Sequence, residues 1–287
     1  TPAWTAESVS DAEDLLAIAR FGVGYDNVDV EACTDADVAL FIAKGAVDYP
    51  VAEATLMWIL ALGHHARTKD RLVRECRWDE RSNYMGKELR ERTLGIIGLG
   101  GIGRALIKLI SGFEMKRVLA FDPFIDADQA REAGAEKVEL GELLQESDYV
   151  SIHCPLNEQT RGLIGSAELQ LMKPNAYLVN TARGGIVDES ALADALKANG
   201  IAGAALDVFE EEPPGVENPL LDLENVILAP HSIAWTGELF RDIGRANCRQ
   251  MLELARGRVP DGLVNRDVLE RPGFRAKLDA WKTKCDR

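Results

Sequence analysis

The chain predicts an α/β fold built on a doubly wound parallel sheet, and three observations carry that prediction. An apolar run at 94–97 passes directly into Gly98-Leu99-Gly100-Gly101-Ile102-Gly103, and an apolar segment at 105–110 follows, so the order is strand, tight turn, helix. A second apolar run at 117–121 ends in Asp122, nineteen residues after Gly103. Beyond it, strand and helix patterns alternate as far as residue 230, which means parallel strands with helices on both faces.

Each glycine of the turn has its own physical task. Gly98 permits the turn, Gly100 lets backbone approach a pyrophosphate without a Cβ in the way, and Gly103 lets helix and strand pack closely. The phosphates would then lie at the positive N-terminus of the helix. A G-x-G-x-x-G match alone is common, and an aspartate before Pro123 could simply close a turn. The strand context and the spacing to Asp122 are what point to a dinucleotide, with Asp122 on the adenosine ribose hydroxyls. A carboxylate there would repel a 2′-phosphate, so NAD is expected over NADP.

Composition sets the bounds. With 287 residues and 46% hydrophobic content the chain can build two domains with real cores. A net charge of -14 argues against nucleic acid or an anionic membrane as partner, so an anionic substrate must be met by local cations. Cys33, Cys76, Cys154, Cys248 and Cys285 are odd in number and scattered, which suggests neither a disulfide framework nor a zinc site and fits a reducing cytoplasm. No apolar run approaches bilayer length, and the early acids do not read as a signal peptide.

Taken in order, residues 11–16 read as the end of a helix or a connection into a strand at 16–21. Gly22-Val23-Gly24 follows; two glycines bracketing a valine form either a plain turn or a nest of N–H groups for a carboxylate. A strand at 38–42 runs into a loop closed by Pro50. Residues 51–62 are apolar nearly all round, as in a helix buried on several sides, either a core helix or a hinge and subunit interface. The adjacent His64 and His65 lack ligand partners at metal spacing, so no metal is expected. Residues 67–92 read as a solvated helix and connection anchored by Trp78 and Tyr84.

After Asp122 the expected elements are a helix near 127–133, a short strand at 136–139, a helix at 140–145 and a strand at 149–153 that ends at Cys154-Pro155. A helix at 166–172, a strand at 176–180, a helix at 191–198, and strands at 202–208 and 225–230 complete the pattern. Arg183, Asp207 and His231 therefore fall at the carboxyl ends of successive strands, where open parallel sheets bind ligands.

That placement suggests a chemistry. Reduction of a 2-keto acid by a nicotinamide cofactor needs a carboxylate anchor, a held carbonyl and a proton for the nascent alkoxide. The planar fork of Arg183 suits the first two, His231 the third, and Glu212 could orient the imidazole. Taken singly, Arg183 could be a surface cation, His231 a helix cap, and Glu212 one of three solvated acids with Glu210 and Glu211.

GIIGLGGIG, the His153-Cys154-Pro155-Leu156 turn, NTARGGIVDE, ALDVFEEEP and the Pro230-His231 strand end together resemble the D-isomer-specific 2-hydroxyacid dehydrogenase family, across nearly the whole chain and in order. The resemblance implies a Rossmann-type NAD-binding domain at 51–235 and a smaller flavodoxin-like α/β substrate domain formed by 1–50 and 236–287. It implies Arg183, Glu212 and His231 as the catalytic set, Glu212 being the acid that precedes the proline, and Val23, Gly24 and Arg183 on the substrate. For NAD it implies Gly98, Gly100, Gly101, Ile102 and Gly103 at the pyrophosphate and Asp122 at the ribose. Cys154 and Pro155 would border the adenosine, Thr181, Ala182 and His231 the nicotinamide end, and Asp207 the carboxamide. Homodimers are implied as well.

Against that pattern, the opening strand and helix of the substrate domain are expected to be missing, and residues after 269 are expected to form a short charged tail without a regulatory domain. Trp235 stands where many phosphoglycerate enzymes have small residues; it is expected to narrow the substrate site and is shared with corepressors of the family. An NAD(H)-sensing binding protein of that type is the alternative to an enzyme.

Overall fold

The computed structural model describes residues 3–10 and 12–285, with side chains described through residue 282. Asp11 and the side chain of Cys285, which figure in the sequence expectations, lie outside the described residues. The chain divides into two compact units, residues 1–47 with 235–287 and residues 48–234.

The first unit joins both ends of the chain. It contains α1 (Ala6–Ser10), β1 (Ala17–Ala19), α2 (Val30–Asp35) and β2 (Ala39–Phe41), with β1 and β2 pairing in parallel. The helix α2 has no apolar periodicity that marks it in the sequence; it starts because the Asp29 side chain accepts the Ala32 N–H at 2.8 Å. The C-terminal segment is held to β2 by buried Asn265, whose Oδ1 accepts the Leu40 N–H at 2.8 Å and whose Nδ2 donates to the Val38 carbonyl at 2.9 Å. Residues beyond 269 are not a charged tail: a helix spans Pro272–Cys285, and Phe274 is buried against Phe41, Leu254 and Val268. Burying a phenylalanine there contributes about 2 kcal/mol, enough to order a segment whose charge alone reads as solvated. Trp235 belongs to this unit, exposed and edge-on to Phe240 at 5.4 Å between centroids.

The second unit opens with α3 (Asp48–Gly63), which begins three residues before the expected helix. Pro50 sits in the first turn of α3, where its missing N–H has no intrahelical acceptor to lose. There follow α4 (Ala66–Arg74), β3 (Thr93–Ile97), α5 (Gly101–Ile110), β4 (Arg117–Phe121), α6 (Ala127–Glu132), β5 (Glu136–Lys137), α7 (Leu140–Glu146) and β6 (Tyr149–Ile152). Then come α8 (Ser166–Leu171), β7 (Tyr177–Asn180), α9 (Glu189–Lys197), β8 (Gly203–Leu206) and β9 (Val226–Leu228). Two further helices, α10 (Gly237–Ala255) and α11 (Pro272–Cys285), complete the first unit.

The strands of the second unit form one parallel seven-stranded sheet in the order β5-β4-β3-β6-β7-β8-β9. Every residue of β3, β6, β7 and β8 is buried, as a sheet covered on both faces requires. One face packs Leu143, Leu144, Leu169, Leu178 and Leu192; the other packs Trp58, Ile59, Leu94, Leu106 and Tyr149 from α3, β3, α5 and β6. Trp78 does not anchor the connection after α4. It is 61% exposed, with the Arg81 guanidinium 5.5 Å over its ring, and Leu72 and Leu89 supply the burial instead. Tyr84 is partly buried and meets His65 edge-on.

Candidate active site

Strand order reverses between β3 and β6, so the turns after these two strands face each other across the crevice where such sheets take ligands. Gly98 follows β3 with φ 92°, and a Cβ on it would stand 2.6 Å from the Cys154 backbone nitrogen. No residue but glycine fits that approach without moving backbone. A Cβ on Gly103 would stand 2.8 Å from the Gly98 carbonyl oxygen, which is the close helix-to-turn packing expected of the third glycine. At Gly100, by contrast, a Cβ would meet nothing of the chain within 4 Å.

The α5 helix starts at Gly101 with no side-chain cap, so its first N–H groups and its positive end face outward. The Asp48 carboxylate rests against Gly101, a negative group drawn to that end. Open backbone at Gly100 therefore suits a pyrophosphate, with half-buried Ile102 beside it, while at Gly101 the Asp48 carboxylate occupies the approach. Asp122 stands at the lip, its Oδ2 accepting the Leu99 N–H and its Oδ1 the Phe124 N–H, each at 2.9 Å. Cys154 faces it, and burial pushes the thiol up to about 11. The Pro155 carbonyl accepts the Thr160 hydroxyl at 2.6 Å, closing the turn after β6. His153, partly buried, shares a 2.9 Å hydrogen bond with the Ser151 hydroxyl through Nε2, and desolvation pushes it down to about 4.

The carboxyl edge of β7, β8 and β9 is built differently. Asn180, buried at the end of β7, accepts the Ala182 N–H at 3.0 Å and donates to the Arg183 carbonyl at 2.9 Å, which folds the chain back and sets Arg183 at the edge. The Arg183 guanidinium donates to the Ala182 carbonyl at 2.7 Å, and Thr181 is fixed by a 3.1 Å bond to Thr55 of α3. Asp207, following β8, accepts the N–H groups of Ser232 at 2.8 Å and Ile233 at 3.1 Å. That grip shapes the turn in which His231 has a φ of 52°. Burial raises the Asp207 carboxyl above the usual carboxylate range, opposed by those two N–H groups.

His231 Nδ1 lies 2.7 Å from Glu212 Oε2, and the other oxygen of Glu212 accepts the Phe209 N–H at 3.2 Å. Of the three consecutive acids, Glu212 is the one that meets the imidazole. Glu210 turns the other way, accepting the Glu189 N–H at 3.0 Å. Both partners of the pair are half-exposed, so the imidazole is open on its Nε2 side to solvent or ligand. The structure thus brings Arg183, Asp207, Glu212 and His231 to one sheet edge. Asn180 and Glu189, which shape that edge, were not singled out from the sequence; a buried asparagine and a helix-initiating glutamate have no spacing signature of their own.

Val23 and Gly24 belong to the first unit. Gly22, at φ 137°, accepts the Ala43 N–H at 2.8 Å through its carbonyl and so turns the chain after β1. Among the described residues no group of three or more His, Cys, Asp or Glu side chains is placed to hold a metal, and no helix is long and apolar enough to cross a membrane.

Comparison with known proteins agrees with this geometry. Residues 56–232 match the model of the D-isomer specific 2-hydroxyacid dehydrogenase NAD-binding domain. The chain is 40% identical over 269 residues to D-3-phosphoglycerate dehydrogenase of Archaeoglobus fulgidus, covering 94% of this chain and 51% of that protein. It is 40% identical over 274 residues to glyoxylate reductase of Korarchaeum cryptofilum, covering 94% of this chain and 82% of the relative. The chain therefore spans about half the length of one relative and about four fifths of the other. Among solved structures, D-lactate dehydrogenase of Aquifex aeolicus, complexed with NAD and lactic acid, superposes with a TM-score of 0.83 at 29% identity, over 91% of this chain and 84% of that one. A glycine turn fitted to a dinucleotide, a reversed strand order beside it and a match through both belong together, and the chain is a member of the D-isomer specific 2-hydroxyacid dehydrogenase family.

Proposed function

We propose that the protein interconverts a D-2-hydroxy acid and its 2-keto acid with NAD(H). The observation that carries the reading is the 2.7 Å pairing of His231 Nδ1 with Glu212 at the same sheet edge as Arg183. When bound, NAD(H) would supply the hydride chemistry at the carbonyl carbon. Arg183 holds the substrate carboxylate and the keto oxygen through its planar guanidinium, which keeps its charge throughout. With Nδ1 committed to Glu212, His231 offers Nε2 to the keto oxygen. It gives up that proton as the alkoxide forms and takes it back in the oxidative direction. Glu212 fixes the orientation of the ring.

The family resemblance gives the Val23 and Gly24 backbone of the first unit a carboxylate-binding role; among the described residues neither N–H has a hydrogen-bond acceptor within the chain. Gly98 to Gly103 cradle the pyrophosphate, Asp122 takes the ribose hydroxyls, and Cys154 and Pro155 border the adenosine. Thr181, Ala182, Asp207 and His231 flank the nicotinamide. The relatives' names, glyoxylate reductase and D-3-phosphoglycerate dehydrogenase, set the substrate panel. The test follows NADH absorbance against glyoxylate, hydroxypyruvate, phosphohydroxypyruvate and larger 2-keto acids, with NADPH in parallel. Turnover with NADH and one preferred acid is expected. Tight NADH binding with no turnover on any of them would replace the enzyme with an NAD(H)-sensing binding protein.

A further inference from the structure

We propose that Glu189 is a positioning residue for the acid–base pair: its buried carboxylate fastens the loop carrying Glu212 at two points and so keeps Glu212 on His231. The inference rests on the roles of Glu212 and His231 proposed above.

Glu189 opens α9 and is only 7% exposed. Its two oxygens divide between the two ends of one loop. Oε1 accepts the Glu210 N–H, and Oε2 accepts the Asn218 side-chain amide at 2.6 Å. A return bond runs from the Glu189 N–H to Glu210 Oε1 at 3.0 Å. Glu212 lies between these fastened points, held by the Phe209 N–H on one oxygen and facing His231 with the other. Gly184 presses on the same loop so closely that a Cβ on it would collide with the Phe209 carbonyl. The Arg183 turn and the Glu212 loop are therefore set against one another.

A purely helix-stabilising role does not account for these bonds. Asp188 already caps α9 by accepting the Ala191 N–H at 2.8 Å, and the two hydrogen bonds of the Glu189 side chain go to the loop. A carboxylate is the side chain that can accept from two separate donors; glutamine has one acceptor oxygen and would turn an amide N–H toward one of them. Burying a charge without a cation is costly, and an apolar residue of the same volume would serve packing better. The position at the helix N-terminus lowers that cost.

The test uses the full chain with NADH and its best 2-keto acid. Glu189→Ala is expected to lower kcat about tenfold while the NADH Kd stays within about twofold; Glu189→Gln and Asn218→Ala are expected to fall between it and the parent. In a Glu212→Ala background the same Glu189→Ala change is expected to cost less than about twofold, because the loop has nothing left to position. A second readout needs no substrate: long-range nitrogen NMR of the imidazoles, of which the chain has four. At alkaline pH the parent His231 is expected to carry its proton on Nδ1, toward Glu212, and both Glu212→Ala and Glu189→Ala are expected to shift it toward Nε2. The proposal is overturned if folded Glu189→Ala keeps the Nδ1–H form, or if its kinetic loss multiplies in full with that of Glu212→Ala. Should Glu189→Ala fail to fold, Asn218→Ala carries both readouts. A parent without turnover removes the dehydrogenase reading, while the tautomer still decides the role of Glu189.

Discussion

The turn after β3 and the loops after β7, β8 and β9 occupy the carboxyl edge of one sheet, yet they are shaped by opposite means. The first is made by what is missing: Gly98 and Gly103 have no Cβ where Cys154 and Gly98 backbone must pass. The second is made by what is present: buried Asn180 ties its own turn, and buried Asp207 and Glu189 each hold a neighbouring loop through side-chain bonds. A glycine turn is enforced locally and leaves open backbone for a charged ligand. A loop tied by buried polar groups can hold a side chain in one orientation, which is what proton transfer needs.

The largest effect that would sharpen this contrast is at the imidazole. His231→Ala is expected to lower kcat by about a thousandfold, within the usual span for a general acid–base group, while NADH binding measured by fluorescence is kept. An unchanged rate would remove the acid–base role. Next come the glycines, which separate close packing from ligand space. Gly98→Ala, forced into a positive φ against the Cys154 backbone, is expected to cost about 3 kcal/mol in urea-induced unfolding. Gly100→Ala, with open space around it, is expected to leave the unfolding curve nearly in place and weaken NADH binding about tenfold or more. Equal stability losses in the two would break the distinction.

A comparable loss is expected on acidification. His153 is partly buried and pushed down to about 4 from an ordinary 6.5, so the folded state resists its protonation while the unfolded chain accepts it. Its contribution to instability is absent above pH 6.5 and grows as pH falls toward 4, to about 3 kcal/mol. His153→Gln is expected to flatten that part of the pH–stability curve, and an unaltered slope would assign the acid lability elsewhere. The smallest effect is at the lip of the nucleotide site: Asp122→Ala is expected to shift NADH-over-NADPH preference about tenfold, at some cost in stability because Leu99 and Phe124 each lose an acceptor.

How much of this was legible beforehand follows from the same contrast. The strand, turn, helix order around Gly98 reads directly from spacing, and the structure repeats it in β3 and α5. The strands at the sheet centre read as apolar runs because both their faces are covered. The C-terminal helix was missed since one buried Phe274 orders a segment otherwise rich in charge. Trp78 misled for the converse reason: a large ring is no guarantee of a cavity to receive it, and this one lies under Arg81 at the surface.

What the sequence determined by itself is the alternating sheet, the glycine turn and the set of strand ends at which Arg183, Asp207 and His231 fall, all of them consequences of short-range period and backbone freedom. Tertiary structure decided which of Glu210, Glu211 and Glu212 meets His231, and that choice depends on Glu189 and Asn218 holding a loop that lies more than twenty residues from one and six from the other. Side-chain bonds across such distances along the chain leave no periodic trace, because the residue types that make them are equally at home in solvent.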